Sequence, residues 1–234
     1  MTKIKGSTVL VTGANGGLGQ EFVKQALDRG ADRVYAAARQ PIAWADDRVR
    51  PLTLDITDPT SVEAAAEVAT QASIVVNNAG ILRKGDLLTA PMDEIREQME
   101  TNLFGALAVT RAFAPALRRS RGALINVASV LSWLAIGKGY SVSKAALWAA
   151  TNALRLELEP DGVQVVGAYL AFTDTPMNDG LPTTGMNDPA DVVAAIYDGV
   201  EAGHHEVLAD ETTRGVRAAL SSPLAHLYPQ LASK

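Results

Sequence analysis

Residues 8–19 read TVLVTGANGGLG, and this stretch decides the fold. A short apolar run, a glycine-rich turn and a segment of helical period follow one another without a gap. The helical segment carries Leu18, Phe22 and Leu27 on one face and stops at Gly30. A strand, such a turn and a helix N-terminus together aim free backbone N–H groups and the positive end of a helix dipole at one point, where a pyrophosphate can bind.

Each glycine of this turn has an expected task. Gly13 permits the tight turn, Gly17 the close approach of a phosphate, and Gly19 the packing of helix on strand. The spacing Gly-x3-Gly-x-Gly differs from the commonest dinucleotide fingerprint, G-x-G-x-x-G, and an isolated match is also compatible with an ordinary turn. Its place between a strand and a helix favours nucleotide binding.

Beyond this stretch, short runs rich in Val, Ile and Ala alternate with longer segments of helical period. The pattern is typical of strands buried on both faces and joined by helical crossovers. We therefore predict an α/β fold, a Rossmann-type doubly wound parallel sheet of about seven strands with helices on both faces. No repeat or linker divides the chain, so we expect one domain over residues 1–234. The predicted strands are Thr8–Val11, Arg33–Ala37, Val49–Leu54, Ser73–Val76, Ala123–Ala128, Val163–Leu170 and Glu206–Leu208.

The composition limits the classes of function. The chain has 21 Lys plus Arg against 26 Asp plus Glu, a formal net charge of -5, and no Cys. Without Cys there is no disulfide, thiolate nucleophile or Cys-ligated metal, and the reducing cytoplasm is the expected location. The slight acidity argues against nucleic acid as a partner, and no apolar run reaches the roughly 18 residues that span a bilayer. The pair His204-His205 has no ligand cluster around it, so we predict no metal.

The end of the second predicted strand indicates which nucleotide binds. A carboxylate about 20 residues past the glycines would accept hydrogen bonds from a ribose 2′-hydroxyl. The residue at that position is Arg39, preceded by Ala37 and Ala38. Since no acid repels a 2′-phosphate there and a guanidinium can bind it, the sequence predicts NADP over NAD. The alternative is that Arg39 is a solvated loop residue.

Two further positions suggest acid/base chemistry. Tyr140 and Lys144 lie four apart at the start of a helical segment and therefore share a helix face. Because a nearby ammonium favours the phenolate, we expect a lowered pKa for Tyr140; taken alone, such a pair is more often a surface pair. Ser129 ends the fifth predicted strand, at the sheet edge where open α/β folds bind ligands, and could hydrogen-bond a substrate carbonyl. Its alternative is a strand-end cap.

Taken in this order, the motifs resemble those of the short-chain dehydrogenases/reductases, the one-domain members of the common type, over nearly the whole chain. Besides the glycine turn, the matching stretches are Leu54-Asp55-Ile56, Asn77-Asn78-Ala79-Gly80, Thr101-Asn102-Leu103 and Asp174-Thr175-Pro176-Met177. The resemblance implies a catalytic tetrad of Asn102, Ser129, Tyr140 and Lys144. The expected cofactor contacts are Gly13, Asn15, Gly16, Gly17, Leu18, Gly19, Arg39, Asp55, Ile56, Asn78, Ala79, Gly80, Tyr140, Lys144, Thr173 and Thr175.

The resemblance also implies a reaction. NADPH would deliver a hydride to a ketone or aldehyde while Tyr140 donates a proton and Ser129 orients the oxygen, and alcohol oxidation is the reverse. Lys144 would hold the nicotinamide ribose and Asn102 would position a water. Asp55 would contact adenine, and Thr175 the carboxamide or phosphate region.

Three features depart from the family pattern. Ser129 and Tyr140 are only eleven positions apart, so the loop between them is shortened. Leu170-Ala171 stands where Pro-Gly is usual after the sixth strand, which affects the backbone path near the nicotinamide. Gly16 stands where NADP members often carry a basic residue, so Arg39 alone is left for the 2′-phosphate.

Apolar side chains predict the kind of substrate and the assembly state. We expect an apolar substrate pocket and a small-molecule carbonyl or alcohol as substrate. The helical segments Met92–Leu117 and Tyr140–Leu158 are apolar on more than one face, which favours a homodimer or homotetramer. The expected pocket residues are Leu131, Trp133, Leu134, Ile136, Tyr169 and Phe172.

Two other functions are compatible with part of the sequence. A non-catalytic NADPH-binding regulator or redox sensor would keep the turn but would not need Ser129, Tyr140 and Lys144 together. A sugar-nucleotide epimerase or dehydratase would need a larger carboxyl-terminal substrate region.

Overall fold

The computed structural model describes residues 1–180 and 183–232. Within them, seven parallel strands form one sheet in the order β3-β2-β1-β4-β5-β6-β7. The predicted Rossmann-type α/β fold is confirmed. The elements are β1 Thr8–Thr12, α1 Leu18–Asp28, β2 Arg33–Ala38, β3 Val49–Thr53, α2 Pro59–Val68, β4 Ile74–Asn77, α3 Met92–Met99, α4 Ala106–Ser120, β5 Ala123–Val127, α5 Gly139–Leu158, β6 Gln164–Tyr169, α6 Pro189–Glu201, β7 Glu206–Leu208, α7 Glu211–Ala219 and α8 Leu224–Leu227.

The sheet separates two apolar layers, which is why its strands are apolar on both faces. In β1, Val9 and Val11 pack with α1 and α6, whereas Leu10 packs on the opposite face with α2 and α4. All three side chains are fully buried. Alternate residues of a strand point to opposite faces, so a strand between two helical layers must be apolar at every position.

The seven predicted strands are all present, with bounds that differ from the predicted ones by at most one residue at each end. The helix α2 begins with a side-chain cap, since the Asp58 carboxylate accepts a hydrogen bond of 3.0 Å from the Thr60 backbone N–H. In the described ranges no helix is long and apolar enough to cross a membrane. Nor do these ranges hold a group of three or more His, Cys, Asp or Glu side chains that could bind a metal ion.

The prediction of one continuous helix over Met92–Leu117 is wrong in detail. A π-helical segment, Glu100–Gly105, separates α3 from α4. Gly105 lies so close to Ile56 that a Cβ there would come within 2.7 Å of the Ile56 Cδ1 atom. Such π-helical turns inside helices are frequent at functional sites, and this one holds Asn102.

Candidate active site

A cleft of about 1000 Å³ opens at the carboxyl ends of the strands. It lies where the strand order reverses between β1 and β4, the position at which open α/β sheets bind ligands. Two expected residues, Gly19 and Asn102, do not line it. The expected residues that do are Gly13, Asn15, Gly16, Gly17, Leu18, Arg39, Asp55, Ile56, Asn78, Ala79, Gly80, Ser129, Tyr140, Lys144, Thr173 and Thr175.

The glycine turn is held tightly from several sides. Gly13 has a φ of +66°, and a Cβ there would lie 2.9 Å from the Ala79 Cα atom. A Cβ on Gly17 would lie 3.0 Å from the Thr175 Cβ atom, so this glycine lets the loop after β6 reach the turn. Gly19 is packed within the turn itself, because a Cβ there would lie 2.1 Å from the Gly13 carbonyl oxygen.

Thr12 joins the turn to the end of β4, a role that the sequence did not reveal. Its hydroxyl accepts hydrogen bonds of 3.0 Å from the backbone N–H groups of Asn78 and Ala79, and donates one of 3.2 Å to the Val76 carbonyl. The Asn78 side chain returns a hydrogen bond of 2.9 Å to the Thr12 carbonyl. The signal was a lone hydroxyl residue between an apolar strand and a glycine turn.

The end of the cleft near β2 is lined by the polar side chains of Arg39, Asp55 and Asn15. Arg39 is exposed and makes no ion pair within 4 Å in the part of the chain that the structure describes. Asp55 accepts hydrogen bonds from the Thr57 backbone N–H and hydroxyl, at 3.0 and 2.7 Å, and these hold the pKa of its carboxyl below the usual range. The buried Asn15 Oδ1 atom has no hydrogen-bond partner among the described residues. A buried acceptor without a donor fits a ligand that brings a hydroxyl or amide group.

Tyr140 and Lys144 lie side by side in the first turns of α5, both less than a tenth exposed. The Lys144 Nζ atom donates a hydrogen bond of 2.8 Å to the Val127 carbonyl and lies 5.6 Å from the centre of the Tyr140 ring. Burial lowers the pKa of Lys144 from 10.5 to about 8. Burial also raises the pKa of Tyr140, opposite to the expected lowering, because a buried phenolate loses its solvation.

Ser129 makes the strand-end cap that was its alternative description, and its hydroxyl also lines the cleft. Its hydroxyl caps the turn that follows β5, accepting a hydrogen bond of 3.1 Å from the Leu131 backbone N–H. The donor side makes only a long contact of 3.4 Å with the Leu170 carbonyl. The hydroxyl therefore lines the cleft, and its proton makes only this weak hydrogen bond.

Asn102 lies beneath the cleft surface. Its Oδ1 atom accepts a hydrogen bond of 2.8 Å from the Ile81 backbone N–H, and its Nδ2 atom donates to the Ile81 carbonyl and the Ser143 hydroxyl, both at 2.9 Å. A Cβ on Gly80 would lie 3.1 Å from Asn102 Oδ1 and 3.7 Å from Lys144 Nζ. Gly80 therefore brings the amide and the ammonium close together.

The predicted apolar pocket is correct for only two of its six residues. Leu131 and Phe172 line the cleft, whereas Trp133, Leu134, Ile136 and Tyr169 do not. Trp133 stacks on the fully buried Tyr169 ring, with ring centres 4.5 Å apart, and Ile136 is 56% exposed. Sequence reasoning missed the other apolar lining, because it comes from three different loops. The apolar residues on this side of the cleft are Ile81, Leu82, Val130, Leu131, Phe172 and Met177.

Comparison with known proteins agrees with this geometry. A family model described as short chain dehydrogenase matches residues 7–184. The NADPH-dependent 1-acyldihydroxyacetone phosphate reductase of Schizosaccharomyces pombe is 36% identical over 201 residues, which cover 81% of this chain and 67% of that protein. Retinol dehydrogenase 16 of Homo sapiens is 34% identical over 183 residues, 70% of this chain and 56% of that one. The chain spans about half the length of several curated relatives that it matches.

A solved structure matches the whole fold. The short chain dehydrogenase from Burkholderia cenocepacia, crystallised in complex with NADP, superimposes with a TM-score of 0.92 and 34% sequence identity over 99% of this chain and 100% of that one. This chain therefore combines the glycine turn, the Tyr-x3-Lys pair and a seven-stranded parallel sheet. It is also similar in sequence, over most of its length, to proteins described as short chain dehydrogenases. The chain belongs to the short-chain dehydrogenase family of oxidoreductases.

Proposed function

We propose that this protein is an NADP(H)-dependent oxidoreductase that interconverts a ketone or aldehyde and an alcohol, with a preference for apolar substrates. The observation that carries the proposal is the presence of Ser129, Tyr140 and Lys144 in the same cleft as the glycine turn. A protein that only senses the cofactor needs the turn and has no use for a proton donor beside it.

The choice of NADP rests on the charge at the end of β2. Arg39 lines the cleft there, and Ala38 before it offers no carboxylate that would repel a 2′-phosphate. The Schizosaccharomyces relative is named as NADPH-dependent, and the Burkholderia structure contains NADP. Along the rest of the cleft, the turn around Gly13 would hold the pyrophosphate and Asp55 the adenine, with Thr173 and Thr175 at the carboxamide.

The catalytic roles follow from the donors in the cleft. NADPH, when bound, supplies the hydride that reduces the carbonyl carbon. The Tyr140 hydroxyl gives its proton to the carbonyl oxygen, so that the two transfers together make an alcohol. Ser129 hydrogen-bonds the same oxygen and orients it. Lys144, fixed to the Val127 carbonyl, places an ammonium beside the negative charge that develops on that oxygen.

Burial is consistent with Tyr140 as the acid. A phenol is protonated at neutral pH already at its ordinary pKa, and burial raises that pKa further, so Tyr140 is in the form that donates a proton during reduction. The reverse reaction needs the phenolate, which burial disfavours.

The assembly and location belong to the same proposal. On the long helix α5, Leu156 is 79% exposed and Val142 is 44% exposed, and Phe104 beside α4 is half-exposed. Exposed apolar side chains on two helices support a homodimer or homotetramer, to be measured by light scattering after gel filtration. The single domain over residues 1–234 and the cytoplasmic location stay predictions, the latter supported by the cysteine-free sequence.

The decisive experiment follows NADPH absorbance with a panel of ketones and aldehydes of graded polarity, with NADH in parallel. Tyr140→Phe keeps the ring and removes the proton, so reduction should fall by at least about a hundredfold while NADPH binding persists. Tyr35→Phe is the matched control, because this buried phenol donates to the Val68 carbonyl away from the cleft. Undiminished reduction by the Tyr140 variant would reject its role. NADPH binding by the wild type without reduction of any carbonyl would favour the regulator.

A further inference from the structure

We propose that Gln98 is a positioning residue, which holds the loop between β4 and α3 against the start of α5 and so sets the distance from the substrate wall to Tyr140. The inference rests on the proposed function, because it concerns where a carbonyl substrate would lie. Gln98 belongs to none of the motifs that indicated the function.

The side chain of Gln98 is 2% exposed, although it is a primary amide. Its Oε1 atom accepts a hydrogen bond of 3.0 Å from the Arg83 backbone N–H, in the loop that follows β4. Its Nε2 atom lies so close to Gly139 that a Cβ there would come within 2.9 Å. The amide therefore fills the space between the loop and the residue that precedes Tyr140.

Gln98 works together with Asn102, four residues later. Asn102 binds both backbone polar groups of Ile81, and Gln98 binds the N–H of Arg83. Two carboxamides thus hold Ile81 and Arg83, which are alternate residues of one loop. A buried amide costs free energy unless it is hydrogen-bonded, so both side chains favour this one position of the loop.

Leu82 lies between the two held residues and forms part of the cleft wall. It packs against the cluster that contains Val130, Leu131 and Tyr140. A shift of the loop therefore moves the apolar wall relative to the phenol. Reacting groups must meet within a few tenths of an ångström of the productive geometry, and a misplacement of about 1 Å can cost about a hundredfold in rate.

The arrangement also explains the glycine before the catalytic tyrosine. Gly139 has an ordinary helical position in α5, with no positive φ, so its backbone does not require glycine. A Cβ there would lie 2.9 Å from the Gln98 Nε2 atom, so any larger side chain makes the amide shift. Gly139→Ala is therefore a second way to disturb the same contact without removing the amide, and alanine also favours the helix.

The test compares Gln98→Leu with Gln164→Leu. Gln164 is a matched control, since its Nε2 atom also anchors backbone, donating to the Val200 and His204 carbonyls at 3.1 and 3.0 Å. It lies at the first residue of β6, at the opposite end of the strand from the cleft. Three experiments are carried out on each intact protein: amide hydrogen exchange of residues 81–86, a titration that gives the Kd for NADPH, and steady-state kinetics that give kcat and KM for carbonyl reduction.

We expect Gln98→Leu and Gly139→Ala to speed exchange in residues 81–86 and to lower kcat by about tenfold, with the Kd for NADPH unchanged. Gln164→Leu should leave these exchange rates and kcat as in the wild type. Two results would overturn the inference: equal losses of kcat in Gln98→Leu and Gln164→Leu, which indicate a general stability effect, or faster loop exchange with normal kcat. If Gln98→Leu does not fold, normal exchange and kcat in Gly139→Ala overturn it. A wild type that reduces no carbonyl would instead reject the proposed function.

Discussion

The buried ammonium of Lys144 makes the stability of the folded protein depend on pH. In the unfolded chain the lysine has its ordinary pKa of 10.5, and in the folded protein burial lowers this pKa to about 8. Between these two values the unfolded chain binds the proton and the folded protein does not, so the free energy of unfolding rises with pH. Below about pH 8 both states are protonated, and the folded protein then carries the full cost of a buried charge.

The size of the effect follows from the width of that interval. Each pH unit in which only the unfolded chain holds the proton contributes about 1.4 kcal/mol. When the titration of Lys144 in both states is included, raising the pH from 7 to 9.5 increases the free energy of unfolding by about 2 kcal/mol. The tyrosines with raised pKa values act in the opposite direction only above about pH 10, where unfolded phenols ionise and folded ones do not.

Urea unfolding of the wild type and of Lys144→Met, at pH 7 and at pH 9.5, isolates this contribution. Methionine has a similar length and does not titrate, so subtracting the two pH dependences removes the effect of every other group. The wild type should gain about 2 kcal/mol more than the variant on going to the higher pH. If the two proteins show the same pH dependence, or if the wild type gains less, burial does not lower the pKa of Lys144 and the reasoning fails.

Three more changes test other parts of the site. Thr12→Val removes the acceptor of two backbone N–H groups at the end of β4, and urea unfolding should show a free energy of unfolding lower by about 2 kcal/mol. The control Thr53→Val, at an exposed strand position, should change this free energy by less than about 0.5 kcal/mol, and similar values for the two variants would contradict the anchoring role of Thr12. Lys138→Gly should raise the free energy of unfolding by about 1 kcal/mol, because Lys138 has a φ of +55°, which strains any residue with a Cβ. The variant also loses the ion pair with Asp86, which is half-exposed and contributes little. A lower free energy of unfolding would mean that this ion pair outweighs the strain. Gly16→Arg should favour NADPH over NADH by about tenfold in a fluorescence titration, because a Cβ on Gly16 meets no atom within 4 Å; an unchanged ratio would contradict a phosphate site near Arg39.

The strands could be predicted from the sequence because a strand that is buried on both faces is a continuous run of apolar residues. The apolar run Val9-Leu10-Val11 forms the centre of the strand Thr8–Thr12, and the glycine turn begins directly after that strand. The π-helical segment Glu100–Gly105 has no comparable pattern of residues in the sequence. It coincides with the contact between Gly105 and Ile56, two residues far apart in the chain, which periodicity within one helix cannot reveal.

The candidate site divides in the same way. Residues that belong to a local pattern, such as the glycine turn and the pair Tyr140 and Lys144, were located from sequence, and the structure places them in one cleft. The apolar wall was mostly missed, because which side of a loop faces the cleft depends on what the other side packs against. Trp133 turns to stack on Tyr169, and Leu82 from a distant loop lines the cleft in its place.

The pKa of Tyr140 shows why a correct motif can still give the wrong electrostatics. The spacing to Lys144 holds the two groups close, and at a solvated helix surface the ammonium would lower the pKa of the phenol. Here the same helix turn is buried, and burial acts on both groups, raising the pKa of the phenol and lowering that of the amine. At neutral pH the pair therefore holds two protons and one positive charge. In the proposed reaction, a carbonyl oxygen that gains negative charge beside this pair would therefore meet both a proton donor and a fixed cation.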